Sequence, residues 1–507
     1  MNKILKTTVI VMIISVIAKI IGVIQESILG ATFGVGYESD IYIMTISMVT
    51  SIFAIISPAI NSAFMPILIE KKDDINEQNK FINSFITIFF IICSLSSIIG
   101  IVFSNIIIQK VFPSLNNQMY FELANKCLRI SLLSIGIIGL QSIFTSIFHA
   151  NGKFVIPSIL TIVYNVILSI YIIILSDKFG VVGLCICVVI ANLVQWLVHL
   201  PTYYKLGYSY RINDFSKDIK RVIKLSIPIM VGVSVSQINV LVDKSLSSYI
   251  GVGSMTLMSY ANKVNLISFS IIITTITTIY YPKLIELKVN NKIEEYQVTL
   301  TRVINIMIVI LIPVAFGIIA IKEELITTLF GYGNFTHKDV LDTALILTFL
   351  APSIIAYGVR EVLTKAFYSF NDTRTPMYNS IIGITINIIL SIGLVGKFKL
   401  AGIALATTIS SFIIIFIMYR SFQKHIRLHK KDTLRTISKS LIAAVIMYSS
   451  LEIINKYIYI NSCINMIICI VFGSSIYFIM TIIFKVTEVI HLLLEVTNSI
   501  KNRRRNT

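Results

Sequence analysis

Two lysines stand where a membrane-spanning chain can least accommodate a charge. Lys19 lies near the middle of an apolar run over about residues 8–30, and Lys263, in Tyr260-Ala261-Asn262-Lys263, lies well inside a run over about 254–282. A charge at such depth costs at least about 2.5–3.5 kcal/mol, and Lys19 is too deep for easy snorkelling. Two chemistries account for the pair. Each ammonium is neutralised by a neighbouring carboxylate or carbonyl as helix glue, or both face a shared wet cavity and meet a phosphate-bearing substrate. Glu26 and Asp243 occupy equivalent places in the two halves of the chain. They suit either packing against Lys244 or another cation, or ion coupling and gating. Arg360, Glu361 and Lys365 lie close enough to a span end for their long side chains to reach headgroups.

Other motifs point to structure. Gly34-Val35-Gly36 has no following Lys and no preceding strand, so it reads as a tight external turn, not a phosphate loop. His425 and His429 have a metal-like i, i+4 spacing, but the surrounding Arg and Lys would repel a cation, which leaves a solvated basic linker. The six cysteines, Cys93, Cys127, Cys185, Cys187, Cys463 and Cys469, lack ligand spacing and are expected as free, buried thiols.

The elements that position these residues emerge from composition. Of 507 residues 56% are hydrophobic and 13% charged, and the mean hydropathy is +0.85. Continuously apolar runs of about 20 residues each suffice to cross a hydrocarbon core, and their lack of alternation excludes a barrel. The first run is too long, and too much like those after it, for a signal peptide. Spans are predicted near 8–30, 41–67, 81–107, 121–148, 155–176, 180–203, 222–248, 254–282, 299–321, 339–368, 376–396, 400–422, 436–456 and 463–484. When linkers are assigned alternately to two sides, most Lys and Arg fall on the side of Lys71-Lys72, Lys205 to Lys224, Lys283 to Arg302, Arg420 to Lys439 and the tail Arg503-Arg504-Arg505. That side is cytoplasmic by the positive-inside rule, and both termini lie on it. The net charge of +18 is therefore topological and does not point to nucleic acid.

The chain repeats itself. Gly34-Val35-Gly36 and Pro66 recur as Gly251-Val252-Gly253 and Pro282 at an offset of about 216, while Phe148, Pro157 and Gly183 recur as Phe367, Pro376 and Gly402 at 219. Asn165 to Ile170 recurs as Asn387 to Ile392. The fold expected is an all-α polytopic membrane protein of about fourteen helices: two parallel six-helix lobes, 1–220 and 221–430, with a two-helix appendage and basic cytoplasmic tail over 431–507. No Walker motif and no large extramembrane loop with clustered acids or histidines is present. Enzymatic activity is not expected, and energy would come from an ion gradient, the membrane potential or the substrate's own gradient.

These residues resemble the MurJ (MviN) lipid II flippases of the multidrug/oligosaccharidyl-lipid/polysaccharide exporter superfamily. The family's first-span signature reads here as Lys19, Gly22, Gln25-Glu26, Phe33 to Gly36, Asp40 and Ala63 to Pro66; Ser236 to Asn239, Asp243, Tyr260 to Lys263, Phe367 to Ser369 and Asp372 to Pro376 match later stretches. The resemblance implies fourteen helices, alternating access, and cavity cations that hold the pyrophosphate of an undecaprenyl-linked substrate. It assigns substrate binding to Lys19, Lys263, Gln25, Glu26, Asp40 and Asn262. Two of the family's arginines are lysines here, another is Gln25, and a fourth falls near the apolar Phe53; lysine keeps the charge and loses the bidentate fork. Some members bind sodium, and the matching positions are Asp243, Asn387 and Thr407, with Ser391 in place of a carboxylate. The resemblance thus implies a monomeric, inward-to-outward flippase of lipid II in the bacterial cytoplasmic membrane, with no resident cofactor and coupled to sodium, protons or membrane potential. A flippase of another undecaprenyl-pyrophosphate-linked glycan and a cation-coupled drug exporter are the alternatives.

Overall fold

A computed structural model describes residues 3–115, 118–211, 216–426, 428, 430–457 and 461–490. His429 and the Arg503–Arg505 tail lie outside the described residues. In lipid an unpaired backbone group has no water to bond, and the chain accordingly runs almost entirely as helix. Contacts divide it into two compact units: one holds the residues up to Thr256 plus Leu329–Thr336, the other Leu257–Thr328 and what is described from His337 onward.

The first unit contains α1 (Lys3–Phe33), α2 (Tyr37–Ala59), α3 (Met65–Glu70), α4 (Ile75–Val102), α5 (Ser104–Val111), α6 (Gln118–Leu132), α7 (Ser134–Ala150), α8 (Val155–Ile174), α9 (Ser176–Lys205) and α10 (Ile219–Ile250). A π-helical turn, Ile60–Phe64, joins α2 to α3 between Pro58 and Pro66, two residues that cannot donate to the helical ladder. α1 lies along α8, where a Cβ on Gly22 would stand 3.2 Å from Asn165 Nδ2. α10 packs along α2, which explains why the compact unit takes in a helix that the sequence repeat counts with the second lobe. At one end of this unit Lys71 Nζ meets Asp218 Oδ2 at 2.9 Å, and Arg221 grips Glu70 through two contacts of 2.7 and 3.1 Å. The Asp218 bond raises the Lys71 pKa, and the same bond holds the Asp218 carboxyl below its ordinary value.

The second unit holds α11 (Ser254–Val289) beyond its first turn, α12 (Ile293–Ala320), α13 (Lys322–Phe330) up to Thr328, α14 (His337–Leu350), α15 (Ser353–Ser369), α16 (Arg374–Phe422), α17 (Lys430–Tyr457) and α18 (Ser462–Ile483). The last two helices pack closely on α12: Tyr477 donates to Val309 O at 2.7 Å and Asn455 to Ala320 O at 3.1 Å.

Among the described residues, twelve helices are long and apolar enough to cross a membrane, and α14 with α15 forms one further span bent by 42°. The 49 residues of α16 would run about 74 Å, more than twice a hydrocarbon core of about 30 Å. Its backbone breaks at Lys399 (φ 50°, ψ −131°), which divides it into two crossings and brings the total to about fourteen. In the first unit the same break falls at Gly180 (φ 52°, ψ −150°), 219 positions earlier. Gly152 (φ 69°) and Asn371 (φ 59°) form a second such pair, so the left-handed turns repeat along with the sequence.

One expectation needs correction. Cys463 is exposed, because it sits in the first turn of α18 where Asn461 Oδ1 caps its N–H, while the other five thiols are buried. His425 is exposed, as a basic linker residue should be, and it also has partners: Asp372 lies 3.2 Å from its Nε2, and its ring lies 5.0 Å from that of Phe370 and 5.8 Å from those of both Phe367 and Phe422. Burial opposes ionisation of Asp372, but hydrogen bonds from Thr375 and His425 outweigh it and hold the carboxyl below its ordinary range.

Candidate functional site

α1 carries three of the expected residues within two turns. Lys19 is exposed, Glu26 is half-buried, and Gln25 is buried with its Nε2 lacking a hydrogen-bond partner. A helix places Lys19 and Glu26, seven residues apart, on one face. The close approach of α1 to α8 at Gly22 fixes the rotation of that face.

Asp40 is fully buried, and donors surround its carboxylate. Oδ2 accepts from the Gly253 N–H at 2.6 Å, and Oδ1 accepts from the Thr256 N–H at 2.9 Å and its Oγ1 at 2.7 Å. These are N–H groups at the first turn of α11, which has no helical partner for them. An anion at a helix N-terminus also interacts favourably with the helix dipole. Gly253 (φ 85°) makes room for the turn, since a Cβ there would stand 2.6 Å from Val35 Cγ1. Asp40 thus ties the start of α2 to the start of α11.

A second tie meets the same end of the unit. Asn334 donates through its backbone N–H to Ala31 O at 2.7 Å and through Nδ2 to Thr32 O at 2.6 Å, occupying carbonyls that the end of α1 leaves orphaned. The approach requires Gly333 (φ 58°), where a Cβ would collide with Ala31 O, and Gly34 (φ 59°), where one would lie 2.6 Å from Asn334 O. The turn at Gly34 is therefore held from two sides. From sequence, 322–338 reads only as a small linker; the Gly331 to Asn334 stretch signals a turn, but nothing in it names a partner 302 positions away.

Asp243, on α10, is half-buried; Asn239 Nδ2 lies 3.4 Å from its Oδ2, and Oδ1 has no hydrogen-bond partner. In the second unit Lys263 is half-buried with its ammonium 5.9 Å from the Tyr260 ring centroid, and Asn262 Nδ2 bonds Met258 O within its own helix. α16 brings Asn387 and Thr407 together across the Lys399 break. Asn387 Nδ2 reaches Thr407 Oγ1 at 3.3 Å and Ser410 Oγ at 3.1 Å, while Asn387 Oδ1 and the fully buried Ser391 Oγ have no hydrogen-bond partner. Hard cations take oxygen ligands, so this cluster suits one, but its oxygens are all neutral and would hold it weakly.

The family model described as lipid II flippase MurJ matches residues 29–472. Among curated relatives, the probable lipid II flippase MurJ of Buchnera aphidicola subsp. Acyrthosiphon pisum is 27% identical over 93% of this chain and 94% of its own. That of Vibrio cholerae is 26% identical over 89% of each. Among solved structures, a lipid II flippase MurJ in an inward closed conformation superposes with a TM-score of 0.82 at 26% identity, over 94% of this chain and 98% of that one. A multidrug resistance MATE family transporter of the MOP superfamily shares the fold, with a TM-score of 0.66 at 13% identity over 88% of this chain and 98% of that one. The chain belongs to the MurJ family of lipid II flippases.

Proposed function

We propose that this protein moves lipid II from the inner to the outer leaflet of the bacterial cytoplasmic membrane by alternating access, without enzymatic chemistry. The observation that carries the reading is the family match over 29–472, and a fold of about fourteen crossings accords with it. Lys19 and Lys263 are assigned to the diphosphate: a diphosphate supplies charge for two ammonium groups, and their depth in a membrane asks for such a partner. Glu26, Gln25 and Asn262 flank these lysines as polar neighbours for the headgroup. Asp40, whose carboxylate already accepts three bonds, is assigned to holding the outer end of α2 on α11.

Asp243, Asn387 and Thr407 are assigned to weak coupling by sodium or protons, supported by the partnerless Oδ1 atoms of Asp243 and Asn387. Both termini are assigned to the cytoplasm by the bias of Lys and Arg, and the protein acts as a monomer. The experiment is complementation. Expressed in a bacterium depleted of its own lipid II flippase, the chain should restore growth and prevent lysis; lysis despite normal membrane insertion would contradict the reading.

A further inference from the structure

The second unit contains a cavity of about 620 Å³ among α11, α15 and the start of α16. Its volume is in the range of small-ligand sites, and its lining mixes apolar side chains such as Leu266, Phe269, Ile273 and Met377 with a cluster of polar ones. Ser270, Thr274 and Thr277 come from one face of α11; Tyr357, Arg360, Glu361 and Thr364 come from α15. Arg360 stands nine residues from the end of α15 at Ser369, about 13 Å into the span. A guanidinium and a carboxylate there are within reach of headgroups, but both line the cavity, which gives them a second use.

The hydrogen bonds give the cavity a definite chemical sense. Thr274, Thr277, Thr364 and Ser380 spend their hydroxyl protons on the carbonyls of Ser270, Ile273, Arg360 and Pro376, at 2.7–2.8 Å. A hydroxyl whose proton is spent offers lone pairs only. Ser380 Oγ uses one to accept from Arg360 Nη2 at 3.0 Å, which aims the guanidinium. Glu361 sits 3.5 Å from Lys365, whose ammonium also lies over the rings of Tyr281 and Tyr368. Between its apolar side chains the wall therefore presents several hydroxyl acceptors, one carboxylate and one aimed guanidinium. Diphosphate is an acceptor-only group and would face its own kind at these hydroxyls and at Glu361. A peptide is the complementary ligand: its amide N–H groups and ammonium donate to the hydroxyls and to Glu361, and its carboxylate takes the fork of Arg360.

We propose that this cavity is a subsite for the zwitterionic peptide stem of the lipid-linked precursor, with Arg360 holding a stem carboxylate, Glu361 a stem ammonium, and Ser380 positioning Arg360. The proposal rests on the lipid II reading and adds to it a specificity site separate from the diphosphate lysines. The test compares three ligands on purified full-length protein in nanodiscs: lipid II, lipid II with its stem amine acetylated, and undecaprenyl diphosphate. Wild type should bind acetylated lipid II several-fold more weakly than lipid II. R360Q should lose roughly tenfold or more in affinity for lipid II and nothing for undecaprenyl diphosphate, and S380A should show a smaller loss with the same selectivity. Equal losses of R360Q for lipid II and undecaprenyl diphosphate, or equal binding of lipid II and its acetylated form by wild type, would overturn the subsite while leaving the function intact. Wild-type protein that binds none of the three would overturn the parent reading and the subsite with it. The acetylated ligand needs no variant, so the proposal stays testable if R360Q does not fold.

Discussion

At the scale of single residues, types and spacing located charges but did not reveal what meets them. Lys19 and Lys263 were legible because hydrocarbon makes any ammonium conspicuous. Asp40 was legible as a family position, yet its partners Gly253 and Thr256 lie 213 and 216 positions away, and no local pattern specifies such a pairing. Its three short bonds give Asp40→Asn a definite consequence. An amide has one acceptor oxygen in place of two, so one or two buried donors lose their partner at about 1–3 kcal/mol each. The melting temperature of Asp40→Asn in detergent should fall clearly below wild type. An unchanged midpoint would mean that the capping of α11 contributes nothing to the fold. His425 shows the same limitation: its basic sequence neighbours point to solvent and it is exposed, but nothing near it in sequence specifies the contacts of its ring with Phe367, Phe370 and Phe422.

At the scale of elements, hydropathy carried most of the information, because the length of an apolar run is set by the membrane it crosses. The division of α16 into two crossings was readable at 396–400, although the helix is otherwise continuous. The short helices α5 and α13 and the π-helical turn Ile60–Phe64 were not, since none has a hydropathy signature of its own. The repeat adds an argument that neither unit supplies alone. Gly180 and Lys399 take nearly the same left-handed conformation 219 positions apart, one as the residue suited to it and one as a lysine. A non-glycine residue held there costs of order 1–3 kcal/mol. Lys399→Gly should therefore raise the unfolding midpoint, even though it removes a charge and a side chain. A lower midpoint would show that the Lys399 side chain contributes more than its backbone conformation costs.

At the scale of the whole molecule, a repeated helical chain is joined to a strong bias of basic linkers to one side and to cations embedded in its spans. The proposed cytoplasmic location of the basic linkers requires the start of α18 to lie outside the cell, and the exposed thiol there provides a native probe of that topology. An impermeant maleimide added to intact cells should label the wild-type chain, and Cys463→Ser should abolish the labelling. Labelling that appears only after the membrane is permeabilised would reverse the topology and with it the direction of transport. The central claim is that lysines from the two repeats capture a lipid-linked diphosphate. Replacing one partner of a charge-assisted hydrogen bond by alanine costs about 1.5–3 kcal/mol, roughly tenfold to a hundredfold in affinity. Lys→Arg at either position should be tolerated, because the guanidinium also binds phosphate. The most direct measurement is lipid II binding by purified, folded Lys19→Ala/Lys263→Ala protein. Each single variant should retain weakened binding and the double variant none, whereas wild-type affinity in the folded double variant would contradict the claim.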